Sequence, residues 1–124
     1  MPERIQIFLI EDDADDIELL EVSLKDNNVQ YKMDVVTEGD KVQEYLKNCE
    51  RLPHIIVMDL NLIIKQIKAN EEFRNFPLIV LTTSTAKEDI EYSCNMGADS
   101  FITKPTTIQG FNATVGTIVQ LASN

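Results

Sequence analysis

The sequence has few of the residues that carry nucleophilic, redox or zinc chemistry. It contains one histidine, His54, two cysteines, Cys49 and Cys94, and no tryptophan among its 124 residues. One histidine cannot build a catalytic triad or a histidine-based metal site, and the two cysteines lack metal-ligand spacing. We therefore expect free thiols that are buried or half-buried in a reducing cytoplasm, and we expect His54 to be a turn residue.

Basic residues are also scarce. Lysine and arginine number 11 against 21 aspartates and glutamates, which gives a net charge of −10. This excess of acid argues against non-specific binding to nucleic acid or to anionic membranes, and it suits protein partners or a bound cation. No apolar run approaches a membrane span, and the apolar stretch 5–10 leads directly into acidic residues rather than a signal-peptide cleavage region. We therefore expect a cytoplasmic protein.

Short apolar runs alternate with helical patterns along the whole chain. The predicted strands are residues 5–10, 31–36, 55–59, 78–81 and 100–103, and the predicted helices lie near 15–26, 42–49, 63–73, 86–96 and 107–121. This alternation predicts an α/β fold, with a five-stranded parallel sheet that is doubly wound, so that helices cover both faces. Right-handed crossovers then bring the carboxyl ends of all strands to one edge.

Polar residues follow the strands at that edge. They are Glu11, Asp12, Asp59, Thr82 and Lys104. Clustered carboxylates without histidine or cysteine form a hard-oxygen site that suits Mg²⁺, and the backbone carbonyl of Asn61 could add another ligand. With Mg²⁺ bound, Asp59 could attack a phosphoryl group, while Lys104 and the Thr82 hydroxyl hold the phosphoryl oxygens.

Each of these residues also has an ordinary structural explanation when it is taken alone. A carboxylate at a strand end can cap the next helix, a hydroxyl can bond to backbone, and a lysine can simply be solvated. Asp15 and Asp16 receive only such a role, because acids favour the first turn of a helix. The convergence of several polar groups on one edge favours a site over these separate explanations.

Four short segments carry a resemblance to a known family. They are residues 8–13 (FLIEDD), 56–60 (IVMDL), 81–84 (LTTS) and 101–105 (FITKP). On these segments the chain resembles the receiver domains of two-component response regulators over essentially its whole length. The resemblance implies a flavodoxin-like (CheY-like) fold with three α/β/α layers, and it makes residues 1–124 a single receiver domain.

The resemblance also implies roles for individual residues. Asp59 would accept phosphate from a sensor histidine kinase or a phosphotransfer protein, so that the chain would be a phospho-acceptor rather than an enzyme. Mg²⁺ would be held by Glu11, Asp12, Asp59 and the Asn61 carbonyl; Lys104 would bind phosphate; Thr82 and Phe101 would be the switch hydroxyl and the switch aromatic. Phe101 lacks the hydroxyl that the family often has there, and it could equally be a core residue of the last strand.

Output would then pass through a protein-interaction face. Phosphorylation would change the face of the fourth helix, fifth strand and last helix, which would contact an unidentified downstream protein or form a homodimer. The words DLNL at 59–62 and LTTS at 81–84 are similar to those of stand-alone receivers, some of them paired with phytochrome-like histidine kinases.

One departure from the family pattern keeps other functions open. The chain runs from Leu62 directly into the apolar segment at Ile63, without the about seven residues that the family has there, although a strand-to-helix connection commonly needs a loop. Either the natural protein has that loop, or a true deletion displaces the Asn61 carbonyl and puts Mg²⁺ binding in doubt. The alternatives are a degenerate receiver that acts only as a binding module, and a small Mg²⁺-dependent phosphohydrolase with an aspartyl-phosphate intermediate.

Overall fold

The computed structural model describes residues 4–48, 52–59, 76–83, 86–95 and 97–123. Within these residues, one fully parallel sheet has the strand order β2-β1-β3-β4-β5. The strands are β1 (Ile5–Ile10), β2 (Tyr31–Val36), β3 (Ile55–Asp59), β4 (Leu78–Thr82) and β5 (Ser100–Thr103). The predicted five-stranded parallel α/β fold is confirmed.

Helices connect the strands and cover the sheet. They are α1 (Ala14–Asp26), α2 (Val42–Asn48, entered through a 3₁₀ turn at Gly39–Lys41), the penultimate helix (Lys87–Asn95) and the C-terminal helix (Ile108–Ala122). The helix predicted near 63–73 lies outside the described residues, as does the junction after Leu62. None of the described helices has the length and hydropathy that crossing a membrane requires.

The apolar side chains of each strand point in turn to the two faces of the sheet and build a core on each side. Val57 and its neighbours on one side pack with α1 and the C-terminal helix, while Met58 and its neighbours on the other side pack with α2. The α1-side core contains Ile7, Leu9, Leu20, Leu24, Ile55, Val57, Ile79, Leu81, Phe111, Val115 and Ile118. The α2-side core contains Phe8, Ile10, Val42, Ile56, Met58, Leu78 and Val80. Because both faces are covered, the central strands are continuous apolar runs rather than alternating ones.

The order of the strands decides where a site can form. From β1 the chain passes to β2 on one side, and it later returns to β3 on the other side of β1. A crevice opens at the carboxyl ends of such a pair, because the connections leave in opposite directions. β1 and β3 run in register through Ile10 and Met58, so the residues that follow β1 lie beside the end of β3.

One sequence-based expectation is wrong, and one alternative explanation is not supported. Cys94 is exposed on the penultimate helix, because its neighbour Ser93 occupies the buried position instead, so the prediction of a buried or half-buried thiol is wrong there; Cys49 lies outside the described residues. The cap of α1 is Asp13, whose side chain accepts from the backbone N–H groups of Asp15 and Asp16, and neither Glu11 nor Asp12 takes that part.

Candidate functional site

Two carboxylates lie side by side at the crevice because adjacent strands deliver them. Glu11 directly follows β1 and its N–H donates to the Val36 carbonyl of β2 at 3.1 Å, while Asp59 is the last residue of β3. Both are buried, with 1% of Glu11 and 6% of Asp59 exposed. A buried carboxylate is costly unless it has partners, so this pair requires compensating positive charge.

Glu11, Asp12 and Asp59 form a group of oxygens that could hold a cation. One carboxylate oxygen from each lies within 4.8 Å of the others, and Asp12 is the exposed member at the mouth of the crevice. Oε2 of Glu11 accepts from the backbone N–H groups of Asp12 and Asp13, both at 3.1 Å. These two bonds hold the Glu11 carboxylate against the turn that leads into α1.

The other oxygen of Glu11 shows that the group fits a metal ion. Oε1 is fully buried and receives no hydrogen bond of good geometry; its charged neighbour is Nζ of Lys104 at 2.8 Å. A buried anionic oxygen without a donor is a ready ligand for a hard cation, and three carboxylates are the donor set that Mg²⁺ or Mn²⁺ prefers.

Lys104 supplies the compensating charge from the far side of the site. Its backbone N–H donates to the Thr82 carbonyl at 2.6 Å, which extends the pairing of β4 with β5 by one residue and aims the side chain across the strand ends. Nζ lies 2.8 Å from Glu11 Oε1, 2.9 Å from Asp59 Oδ2 and 2.9 Å from Asp16 Oδ2. The side chain of Lys104 is 10% exposed, so these ion pairs are largely shielded from water.

The protonation of the site follows from this burial and pairing. Burial raises the pKa of Glu11 to about 7, although the nearby Lys104 ammonium and the backbone N–H of Asp13 oppose that shift. Burial alone would lower the pKa of Lys104, but the carboxylates of Glu11, Asp16 and Asp59 outweigh it and raise the pKa above its ordinary value. Lys104 therefore stays charged at neutral pH, while Glu11 is the carboxyl whose protonation changes near neutrality.

The predicted switch residues occupy the neighbouring strands. Thr82 ends β4 and is fully buried, one residue beyond Leu81, which pairs with Asp59. Phe101 of β5 pairs with Val80 of β4, and its half-buried side chain packs against the α2-side core. Asn61 lies outside the described residues. The strand ends thus gather Glu11, Asp12, Asp59 and Lys104 into one cluster, with Thr82 at the adjoining strand end. Phe101 lies one strand further on, half-buried against the α2-side core.

Asp16 is a member of the cluster that sequence reasoning missed. The sequence assigned it only a helix-stabilising role, yet its carboxylate pairs with Lys104. A signal for it was present: Asp16 lies three residues after the N-cap Asp13, in the first turn of a helix that starts directly above the end of β1. Asp15, its neighbour in the same turn, is exposed and matches the helix-stabilising role.

Comparisons with known proteins agree with this geometry. A family model for the response regulator receiver domain matches residues 7–115. The response regulator Rcp1 of Synechocystis sp. is 27% identical over 116 residues, covering 83% of this chain and 78% of Rcp1. The probable methanogenesis regulatory protein FilR2 of Methanothrix harundinacea is 27% identical over 120 residues, covering 88% of this chain and 77% of FilR2.

Solved structures give the same result. The phosphorylated cyanobacterial phytochrome response regulator RcpA matches with a TM-score of 0.79 and 27% identity, covering 98% of this chain and 96% of RcpA. The Mn²⁺-bound form of Rcp1 matches with a TM-score of 0.73 and 25% identity, covering 92% and 91% of the two chains. These relatives agree with the resemblance to stand-alone receivers paired with phytochromes. Since the family model spans most of the sequence, the chain belongs to the response regulator receiver domain family.

Proposed function

We propose that this receiver domain is a phosphorylation switch in which Asp59 accepts a phosphoryl group from a histidine kinase or a phosphotransfer protein. The observation that carries the proposal is the position of Asp59, buried at the end of β3 between Lys104 and the carboxylates of Glu11 and Asp12. As a phospho-acceptor that assists its own phosphorylation and dephosphorylation, the domain would be a signalling module rather than an enzyme that turns over a substrate.

For phosphoryl transfer to Asp59, the protein needs only to position the reacting groups and to stabilise their charge. An oxygen of the ionised Asp59 carboxylate forms the new bond to phosphorus as the bond from phosphorus to the donor imidazole nitrogen breaks. No general base is needed, because a carboxylate is already ionised at neutral pH. Lys104, now 2.9 Å from Asp59 Oδ2, donates to a phosphoryl oxygen once Asp59 has become an acyl phosphate.

Glu11, Asp12 and Asp59, with the Asn61 backbone carbonyl, would hold Mg²⁺ in this function. When bound, the cation would offset the negative charge of the acceptor and of the incoming phosphoryl group. The buried Oε1 of Glu11 and the all-oxygen donor set support a hard divalent cation. The Mn²⁺-bound structure of the relative Rcp1 supports the same inference.

The response to phosphorylation would begin at the adjoining strand ends. Thr82 and Lys104 are joined through their backbones at 2.6 Å, so a phosphoryl group that draws both side chains moves the ends of β4 and β5 together. Phe101, half-buried two residues before the end of β5, would follow with its ring. This is a two-state equilibrium biased by a local change in charge.

The altered surface would be the face formed by the penultimate helix, β5 and the C-terminal helix. Ile90 and Ile108 on these two helices are each 38% exposed, which gives the face apolar contacts for a partner. The partner would be an unidentified downstream protein or a second copy of the chain. We expect a cytoplasmic location, and neither nucleic acid nor membrane as a direct ligand, given the net charge of −10.

Intact-protein mass spectrometry with acetyl phosphate as donor tests the proposal. We expect a Mg²⁺-dependent gain of one phosphoryl group by the wild-type protein and none by Asp59→Asn. Asp99→Asn is the matched control: Asp99 accepts from the Leu78 N–H near the opposite edge of the sheet, and its variant should be labelled like the wild type.

Two results would contradict the phospho-acceptor role. Labelling that survives in Asp59→Asn would place the acceptor elsewhere. A wild-type protein that is neither labelled nor able to bind beryllofluoride with Mg²⁺ would be a receiver that acts only by binding partners. Steady turnover of a phosphomonoester, rather than a single labelling event, would instead favour the phosphohydrolase.

A further inference from the structure

The ammonium of Lys104 lies among three carboxylates and donates a hydrogen bond to Asp59 Oδ2. A lysine ammonium carries three N–H bonds, and Nζ lies within 2.9 Å of one oxygen each from Glu11, Asp59 and Asp16. Glu11 and Asp59 belong to the sheet edge, whereas Asp16 reaches Nζ from the first turn of α1. The lysine is therefore held from two sides, by the sheet and by a helix.

The contact with Asp16 is more than a consequence of acids clustering before a helix. Asp13 already caps α1, and Asp15 supplies a first-turn negative charge while remaining exposed. The Asp16 side chain is 17% exposed, which is too little for a solvated acid. It forms an ion pair with Lys104, whose own side chain is 10% exposed. An ion pair shielded in this way is worth more than a surface pair, and breaking it leaves a charge uncompensated.

We propose that Asp16 is a positioning residue of the phosphorylation site, which holds Lys104 from α1 and neutralises its charge so that Glu11 and Asp59 remain available to a divalent cation. The inference rests on the proposed function, because it assigns Asp16 a part in preparing the same site. In this role Asp16 acts through Lys104, with which it pairs at 2.9 Å, while the oxygens placed to hold a cation belong to Glu11, Asp12 and Asp59. Without Asp16, the Lys104 ammonium would pair with Glu11 and Asp59 alone, and it would compete with the cation for their oxygens.

Amine labelling of the metal-free, unphosphorylated protein tests the positional claim. Lysines react with a succinimidyl ester, and mass spectrometry of peptides reports the rate at Lys104 relative to Lys32, which is exposed on β2. We expect slow labelling of Lys104 in the wild type, a severalfold faster rate in Asp16→Asn, and a return toward the wild-type rate in Asp16→Glu. Asp15→Asn is the matched control, since it removes the same charge from the same helical turn without touching Lys104.

Calorimetric titration with MgCl₂ tests the consequence for the cation. We expect Asp16→Asn to weaken Mg²⁺ binding about five- to tenfold at moderate ionic strength, and Asp15→Asn to change it less than about twofold, because its charge is farther away and screened. In a Lys104→Met background the effect of Asp16→Asn should shrink to less than half, because the residue through which Asp16 acts is gone.

The outcomes separate this inference from the phospho-acceptor role. Equal labelling of Lys104 in the wild type and Asp16→Asn would overturn the positional claim, whatever happens to Asp59. Equal losses of Mg²⁺ affinity in Asp16→Asn and Asp15→Asn would show that Asp16 acts only through its overall charge. The same conclusion would follow if Asp16→Asn weakened Mg²⁺ binding equally in the wild type and in the Lys104→Met background. Thermal unfolding of each variant, with Asp16→Glu as the charge-retaining comparison, excludes a general loss of fold as the cause.

Discussion

Glu11 is the residue that couples the site to pH. Its carboxyl is buried beside Asp59, and burial raises its pKa from 4.5 to about 7. The folded protein therefore binds this proton more tightly than the unfolded chain does. Since stability falls with rising pH wherever the folded state binds more protons, the contribution of Glu11 is fully present below about pH 4.5 and is lost as the pH rises through about 7.

Replacement of Glu11 by glutamine isolates this effect, because glutamine imitates the protonated carboxyl. In metal-free buffer at pH 8 we expect Glu11→Gln to be more stable than the wild type, by on the order of 1–3 kcal/mol. The difference should close toward pH 5, where the wild-type carboxyl is itself protonated. Urea unfolding at both pH values measures it, and a variant less stable than the wild type at pH 8 would contradict the shifted pKa.

The same proton makes cation binding dependent on pH. A bound divalent cation needs the ionised Glu11 carboxylate, so binding releases the proton that burial retains near pH 7. We expect the Mg²⁺ affinity of the wild type to fall as the pH is lowered from 8 to 6. Calorimetry in buffers of different ionisation enthalpy should detect the released proton, and none should be released by Glu11→Gln.

At this scale the sequence predicted which residues meet but not how they interact. The motifs around Glu11, Asp59 and Lys104 follow strand ends, and a parallel sheet brings strand ends together, so their convergence could be foreseen. The third partner of Lys104, Asp16, could not be foreseen because its role depends on the angle at which α1 leaves β1. The raised pKa of Glu11 depends on burial, which the string of neighbouring acids gives no sign of.

The C-terminal helix shows that two glycines in one element can have opposite functions. A Cβ atom on Gly110 would lie 2.8 Å from Cβ of Pro105, whereas one on Gly116 would meet no atom within 4 Å. Gly110 therefore permits the helix to start close against the residue that follows Lys104. Gly116 only weakens the helix, since glycine is a poor helix former.

Alanine substitutions at the two positions should move stability in opposite directions. Gly116→Ala should stabilise the protein by about 0.5–1 kcal/mol through helix propensity. Gly110→Ala gains the same propensity, but the clash with Pro105 should destabilise the protein by about 1–3 kcal/mol. Thermal unfolding measures both. Equal effects of the two substitutions would mean that Pro105 can move away from the new Cβ atom without destabilising the protein.

The elements themselves were largely predictable because their patterns are simple. β1, β3 and β4 are unbroken apolar runs of strand length, and the turns between them carry acids, proline or glycine. Gly97 follows the penultimate helix with φ 90°, in the left-handed region that glycine commonly adopts after a helix. The burial of the penultimate helix was not predictable, because its apolar stripe is weak; the sequence favoured Cys94 as a buried residue, and the helix presents Ser93 to the core instead.

The molecule as a whole is a sheet with two cores that share the same strands. Successive residues of β1, β3 and β4 point in turn to the α1-side core and the α2-side core. Unfolding of these strands therefore disrupts both cores together. We propose on this basis that residues 1–124 fold as a single receiver domain. Cooperative unfolding is the expected behaviour of one domain of this size.

A cavity in one core tests the coupling of both. Phe111 is fully buried in the α1-side core, and Phe111→Ala should cost about 3–5 kcal/mol. We expect the far-ultraviolet and near-ultraviolet circular dichroism signals to be lost at the same midpoint. The near-ultraviolet signal includes that of Tyr45, which is stacked on Phe8 in the opposite core. Leu52→Ala, at a side chain 64% exposed, should change stability by less than about 0.5 kcal/mol. Separate midpoints would indicate two independently stable halves.

The position of His54 bears on the kinetics of the proposed signalling. Its ring nitrogen Nδ1 accepts from the backbone N–H of Gln6 at 2.9 Å, which fixes the imidazole at the beginning of β3. Asp59 ends that strand, five residues on and so roughly 16 Å away at about 3.3 Å per residue. The sole histidine of these 124 residues thus cannot pass a phosphoryl group to Asp59. In the proposed function the phosphoryl group therefore comes from a separate donor molecule, and we expect the initial rate of labelling to rise in proportion to the donor concentration.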